Sequence, residues 1–130
     1  MSRGRLLDAS ALLAMIFNEP GSEQVVEMLD DCKIHALNLA EVMRKLVSLG
    51  KPADEVIAQV GTLELDVVED LRMEQVREIA RLAPEARRLG LSLGDCVCLA
   101  VAKTEGVTAV TAERRWSELR GYKIKLLQIR

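Results

Sequence analysis

Four carboxylates stand where short apolar runs meet helical ones. They are Asp8 in "LLDASALLAMIF", Glu41 in "NLAEV", Asp95 in "LSLGDCVCLAVA" and Glu113 in "TAERRW". Each has an ordinary explanation. Asn38-x-x-Glu41 and Ser92-x-x-Asp95 have capping-box spacing, Asp8 or Ser10 could cap a first helix, and Glu113 could complement a helix dipole. Two of the settings argue for more. Asp8 has apolar residues on both sides, and Asp95 precedes the almost unbroken apolar run from Cys96 to Ala102. Carboxylates gathered at one edge repel, and at neutral pH some must protonate unless a cation offsets them. Mg2+ or Mn2+, which takes few carboxylates and keeps waters and room for phosphate oxygens, removes that conflict. Such a cluster can activate water and steady the leaving oxygen of a phosphodiester.

Other chemistries find little support. The only histidine, His35, falls inside an expected strand and is read as structural, which leaves little basis for a Ser-His-Asp or Cys-His site. The eight glycines are scattered and form no phosphate-cradling loop.

The elements that must position the acids follow from the alternation of short β-like runs with longer helical ones. Strands are expected near Arg5–Ala9, Lys33–Leu37, Leu65–Glu69, Val107–Thr111 and Ile124–Ile129. Helices are expected over Ser10–Phe17, Ser22–Asp31, Leu39–Leu49, Ala53–Leu63, Leu71–Leu82 and Leu93–Thr104, with a last short one around Arg114–Leu119. Gly50-Lys51-Pro52 and Pro84 punctuate the middle helices, and Gly90, Gly106 and Gly121 end segments. This order predicts an α/β fold around a parallel sheet. Sites in such sheets gather at the carboxyl ends of the strands, where the strand order reverses. Asp8 would end the first strand and Glu41 would lie in the first turn after the second. Asp95 would open the helix leading into the fourth strand, and Glu113 would follow that strand.

At 130 residues and 49% hydrophobic, the chain reads as one domain over 1–130, able to bury a core without staples. Three cysteines, Cys32, Cys96 and Cys98, lack a CxxC pair, which fits reduced cytoplasmic thiols better than a disulfide framework or a zinc site. The start, "MSRGR" before an apolar run, mimics a signal peptide, but Asp8 splits the run and no stretch approaches the ~20 apolar residues of a membrane span. A soluble protein is expected. The net charge of −2 gives no global pull toward nucleic acid, and one Phe, one Tyr and one Trp cannot make a base-stacking sheet. From Glu113 onward the chain is locally basic, a pattern more often a solvated face than a binding patch.

The segments "LLDASALLAMIFNEPGSEQV", "NLAEVMRKL" and "LGLSLGDCVCLAVAKTEGVTAVTAERRW" together closely resemble a PIN-domain ribonuclease, specifically the VapC-type toxin of a toxin–antitoxin pair. The resemblance spans nearly the whole chain. It implies a three-layer α/β/α fold with a central five-stranded parallel sheet of order 3-2-1-4-5. Asp8, Glu41 and Asp95 match the family's acidic metal positions, and Ser10, Asn38 and Thr111 match its polar companions, contacts to water, substrate or the acids. The fourth acid is usually aspartate in a "TADR"-like motif, whereas this chain has Glu113, whose extra methylene alters its reach. Gly94 stands where alanine is common, a change read as costing helix propensity but no chemistry. Glu69 and Asp70, after the third strand, would be too far from the first strand to join the site.

The expected function is therefore a Mg2+- or Mn2+-dependent endoribonuclease acting on single-stranded or looped RNA, with tRNA a family-level expectation. Asp8 and Asp95 would be the principal metal carboxylates, Glu41 would bind metal or orient water, and Glu113 would complete the set. Arg114 and Arg115 are candidate phosphate contacts. The resemblance also implies a cognate antitoxin and a homodimer, with the region from Leu39 to Leu63 as the candidate surface. One competitor is a PIN fold without turnover that binds RNA or protein, for which Glu113 is the sequence support. Another is a phospho-acceptor receiver domain, which carries adjacent acids after its first strand and a lysine after its last. This chain has Asp8 alone at the first place and no convincing lysine at the second.

Overall fold

Leu6 and Leu7 are both fully buried, yet they belong to different apolar clusters. Successive strand residues point to opposite faces, so the first strand must be covered on both sides. The computed structural model, which describes residues 4–130, shows this arrangement. Five short parallel strands, β1 (Arg5–Leu7), β2 (Cys32–His35), β3 (Asp66–Val68), β4 (Thr108–Thr111) and β5 (Leu126–Gln128), pair in the order β3-β2-β1-β4-β5. Leu7 lies between Ile34 and Val110 in register.

Helices α1 (Ala9–Ile16), α2 (Ser22–Met28), α3 (Ala36–Ser48) and α4 (Ala53–Gly61) supply one layer, packing Leu12, Val25, Val42 and Val56 against Leu7, Ile34 and Val110. Helices α5 (Met73–Arg81), α6 (Ala83–Leu89) and α7 (Leu93–Glu105) supply the other. There Val97, Leu99 and Val101 of α7 meet Leu6, Ala109 and the wholly buried Trp116. Single 3-10 turns cover Leu29–Asp31 and Arg114–Glu118. The result is the expected three-layer α/β/α sandwich of order 3-2-1-4-5. Among the described residues, no helix is long and apolar enough to cross a membrane.

Strands β1, β3, β4 and β5 are shorter than the apolar runs suggest, helices α1 and α3 start earlier, and α5 starts at Met73 rather than Leu71. Strand β1 stops at Leu7 because Asp8 turns to cap α1, its Oδ1 accepting the Ala11 N–H at 2.8 Å. Helix α3 begins at Ala36 rather than Leu39 because the His35 ring caps it: Nδ1 accepts the Leu37 N–H at 3.1 Å while Nε2 donates to the Asp70 carbonyl at 2.9 Å. The structural role expected for His35 is thus a specific one. It also overturns the capping-box reading of Asn38-x-x-Glu41. Asn38 lies inside the helix, and Glu41 sits in its second turn, not its first.

Helix α6 is absent from the sequence expectation. Pro84 opens it, at a position where a missing N–H costs nothing, rather than closing its predecessor. Gly90 and Gly106, in the left-handed region, end α6 and α7 as expected.

Candidate active site

At the carboxyl edge of the sheet, β1 and β4 are neighbours, and strand order reverses between them. Asp8 follows β1 there with 1% exposure. Its carboxylate is held from three directions. Ser10 Oγ lies 2.8 and 2.9 Å from Oδ1 and Oδ2, Thr111 Oγ1 donates to Oδ2 at 2.6 Å, and the Ala11 N–H reaches Oδ1. The hydroxyls are themselves fixed, since the Ala112 N–H donates to Ser10 Oγ and the Glu113 N–H to Thr111 Oγ1, both at 2.9 Å. Both hydroxyls around Asp8 are therefore tied to the backbone just past β4.

Burial is the dominant influence on this acid and raises its pKa from 3.8 to about 7. The Thr111, Ala11 and Ser10 hydrogen bonds oppose the rise, and the charge of Asp95 adds to it. Glu41 is also raised, first by desolvation and then by Asp95, with Arg44 acting the other way. The fully buried Cys98 thiol is pushed well up, by burial and then by Asp8, Asp95 and Glu41 together. Three acids from three elements thus share one electrostatic neighbourhood.

Asn38 holds that neighbourhood together. Buried, it accepts the Ala9 N–H at 3.2 Å through Oδ1 and donates through Nδ2 to the Gly94 carbonyl at 3.3 Å. One amide side chain of α3 therefore pins the first turns of α1 and α7. Asp95 keeps the capping box anticipated for it, with Oδ2 accepting the Ser92 N–H at 2.9 Å and Ser92 Oγ accepting the Asp95 N–H at 3.1 Å. Its Oδ1 takes no hydrogen bond among the described residues and remains available. Capping and ligation are not exclusive for this residue.

Glu113 stands differently. Its backbone is fixed by Thr111, but its half-exposed carboxylate lies 3.8 Å from Arg115 Nη2. Arg115 is anchored as well, donating through Nη1 to the Leu89 carbonyl at 2.8 Å, whereas Arg114 is exposed beside it. Glu69 and Asp70 follow β3 at the sheet edge, two strands from β1, as expected.

The oxygen-only donor set of Asp8, Asp95 and Glu41 suits a hard divalent cation, as does the raised state of Asp8 and Glu41, caused first by desolvation and then by the charge of Asp95. Among the described residues no group of three or more acidic, histidine or cysteine side chains forms a ready-made metal cage. A Mg2+-type site, with one or two protein carboxylates and several waters, does not require one.

The sequence matches the family model of the PIN domain over residues 5–122. The chain belongs to the PIN domain family. Solved structures similar to this PIN domain include VapBC2 from Rickettsia felis bound to a DNA fragment from its promoter, with 18% identity, 95% of this chain and 97% of that one covered, and a TM-score of 0.73. A toxin–antitoxin complex from Klebsiella pneumoniae gives 14% identity, 97% and 98% coverage and a TM-score of 0.70. VapBC-5 from Mycobacterium tuberculosis gives 22%, 97% and 99%, and 0.61. Among curated proteins, none matches in sequence.

Two features of this PIN site lay outside the sequence reading. Arg44, one turn along α3 from Glu41, is exposed and lines the grooves on both sides of that acid. The Glu41-x-x-Arg44 spacing, which puts both on one helix face, was its available signal. Gly94 was seen only as a helix weakness. It is in fact in contact with the acids, being buried directly beneath the Glu41 carboxylate.

Proposed function

We propose that this PIN domain, acting as one unit over 1–130, is a Mg2+- or Mn2+-dependent endoribonuclease and the VapC-type toxin of a toxin–antitoxin pair. The observation that carries the reading is the buried Asp8 carboxylate, fastened by three hydrogen-bond donors and coupled to Asp95 at the strand-order reversal. Asp8 and Asp95 would hold the ion, with Glu41 and Glu113 as further acids around it. When bound, the ion would supply Lewis-acid polarisation of the phosphodiester and a more nucleophilic water at neutral pH. The chain's own groups do the rest. Ser10 and Thr111 orient Asp8, and Asn38 fixes the helix starts. Glu41, raised above its ordinary value by desolvation and then by Asp95, would orient the attacking water and accept its proton. The exposed guanidinium groups of Arg44 and Arg114 are placed to meet backbone phosphates of single-stranded or looped RNA, tRNA being the candidate class. Arg115 acts mainly by holding Glu113 and the α6 end in place.

An antitoxin and a second copy are the proposed protein partners. Helices α3 and α4 carry an apolar groove lined by Met43, Val47, Val56 and Ile57, of which Val47 and Ile57 are exposed. The buried thiols of Cys96 and Cys98 fit a reducing compartment, the cytoplasm.

Purified protein freed of antitoxin is expected to cleave RNA with Mg2+ or Mn2+. Asp8→Asn and Asp95→Asn should each lose at least ~100-fold, the upper end of what outer partners of a metal site cost. Equal cleavage by all three proteins would sink the assignment. Glu113→Gln, whose carboxylate is turned toward Arg115, should lose only about tenfold in the same assay. That orientation also favours a second reading, a PIN fold that binds RNA without turnover; metal-independent binding without cleavage by the wild type would select it.

A further inference from the structure

Gly94 is the second residue of α7, and its backbone is not in the left-handed region that favours glycine. Alanine is the better helix former, so local conformation gives no reason for glycine at this place. The reason lies across the helix pair. An ideal Cβ on Gly94 would fall 1.5 Å from Glu41 Oε1, 2.6 Å from its Cδ and 3.2 Å from Oε2. The Glu41 carboxylate occupies the space a methyl group would fill. Asp95, the next residue, is the acid whose charge acts on Glu41. The Gly94 carbonyl, meanwhile, receives the Asn38 amide and holds α3 against α7.

We propose that Gly94 is a positioning residue: its missing Cβ is the seat of the Glu41 carboxylate and sets how closely that acid stands to Asp95 at the metal site. The obstructed group would be the end of a flexible side chain. A methyl group at 94 therefore displaces the carboxylate and leaves the fold intact. Glycine at this position serves the chemistry and not the helix, and substitution separates the two.

The inference rests on the metal-dependent reading, and binding of Mn2+ alone, followed by calorimetric titration without RNA, tests both separately. Gly94→Ala is expected to melt no lower than the wild type yet bind Mn2+ about tenfold more weakly. Glu41→Asp alone should also weaken binding, because the shortened acid no longer spans the gap. In the double variant the shorter side chain clears the added methyl, so Mn2+ should bind no more weakly than to Gly94→Ala alone. Wild-type affinity in Gly94→Ala, additive losses in the double variant, or a lowered melting temperature in Gly94→Ala would each overturn the proposal. An Asp8→Asn control separates the two failures. If it weakens Mn2+ binding and Gly94→Ala does not, only the role of Gly94 falls. If it leaves Mn2+ binding unchanged, or the wild type binds none, the metal-site reading falls and takes the proposal with it.

Discussion

Asp8→Asn is expected to raise the melting temperature of the metal-free protein at pH 8 even as it removes RNA cleavage. The carboxyl is almost wholly buried, and burial lifts its pKa from 3.8 to about 7. The sign follows from proton binding. The folded protein holds this proton more tightly than the unfolded chain, so its contribution is fully present below pH 3.8. It declines as pH rises and is lost once pH passes about 7. A shift of that size corresponds to at most about 4 kcal/mol. Asparagine keeps the site neutral at every pH and can still accept the Ala11 N–H, while the Ser10 and Thr111 hydroxyls rotate to suit its amide. The wild type should therefore lose stability between pH 5 and pH 8 without metal and regain it on adding Mg2+, since a ligand that binds only the folded state stabilises it. Asp8→Asn should show neither the loss nor the Mg2+ response. An unchanged pH profile in the variant would refute the idea that Asp8 carries the destabilising charge.

The sequence made the sheet and the location of the acids readable because both follow from simple patterns. Buried two-sided strands such as Leu6-Leu7 are apolar runs, and the helices between them have turn signals at their ends. The family motifs added the strand order. What stayed hidden was decided by side chains acting across elements. No pattern marks His35 as a helix cap, because its ring is oriented by the Asp70 carbonyl on a different segment, and so the start of α3 and the turn holding Glu41 were misplaced. Asn38 was recognised as a polar companion, but its span from Ala9 to Gly94 depends on three helices meeting. Gly94 looked chemically silent because a clash with Glu41, 53 positions earlier, exists only once α3 and α7 are packed. Helix α6 was missed for a local reason: Pro84 is as well suited to open a helix as to break one.

Thr111→Val should reduce metal affinity by about 10–100-fold and move the acid limb of the cleavage profile to higher pH. The substitution keeps the shape and removes one hydroxyl, which currently makes the shortest bond to Asp8, 2.6 Å to Oδ2, and accepts the Glu113 N–H at 2.9 Å. Of the hydrogen bonds that hold the Asp8 pKa down against burial, the one from Thr111 has the largest effect. Without it desolvation is less opposed, the pKa rises further, and a smaller fraction of the protein carries the charged carboxylate at a given pH. Metal binding and any rate that needs that carboxylate then require more alkaline solution. The variant should also lose about 1 kcal/mol of stability, because the part-buried Glu113 N–H is left without its acceptor. Thr111→Ser retains the hydroxyl and should restore the pH profile, although a smaller side chain fills the buried position less well. A profile that moves equally in the serine and valine variants would mean that packing, and not the hydroxyl, sets the charge state of Asp8. If only valine moves it, the charge of the acid at the centre of the site is governed from β4, the strand beyond the reversal.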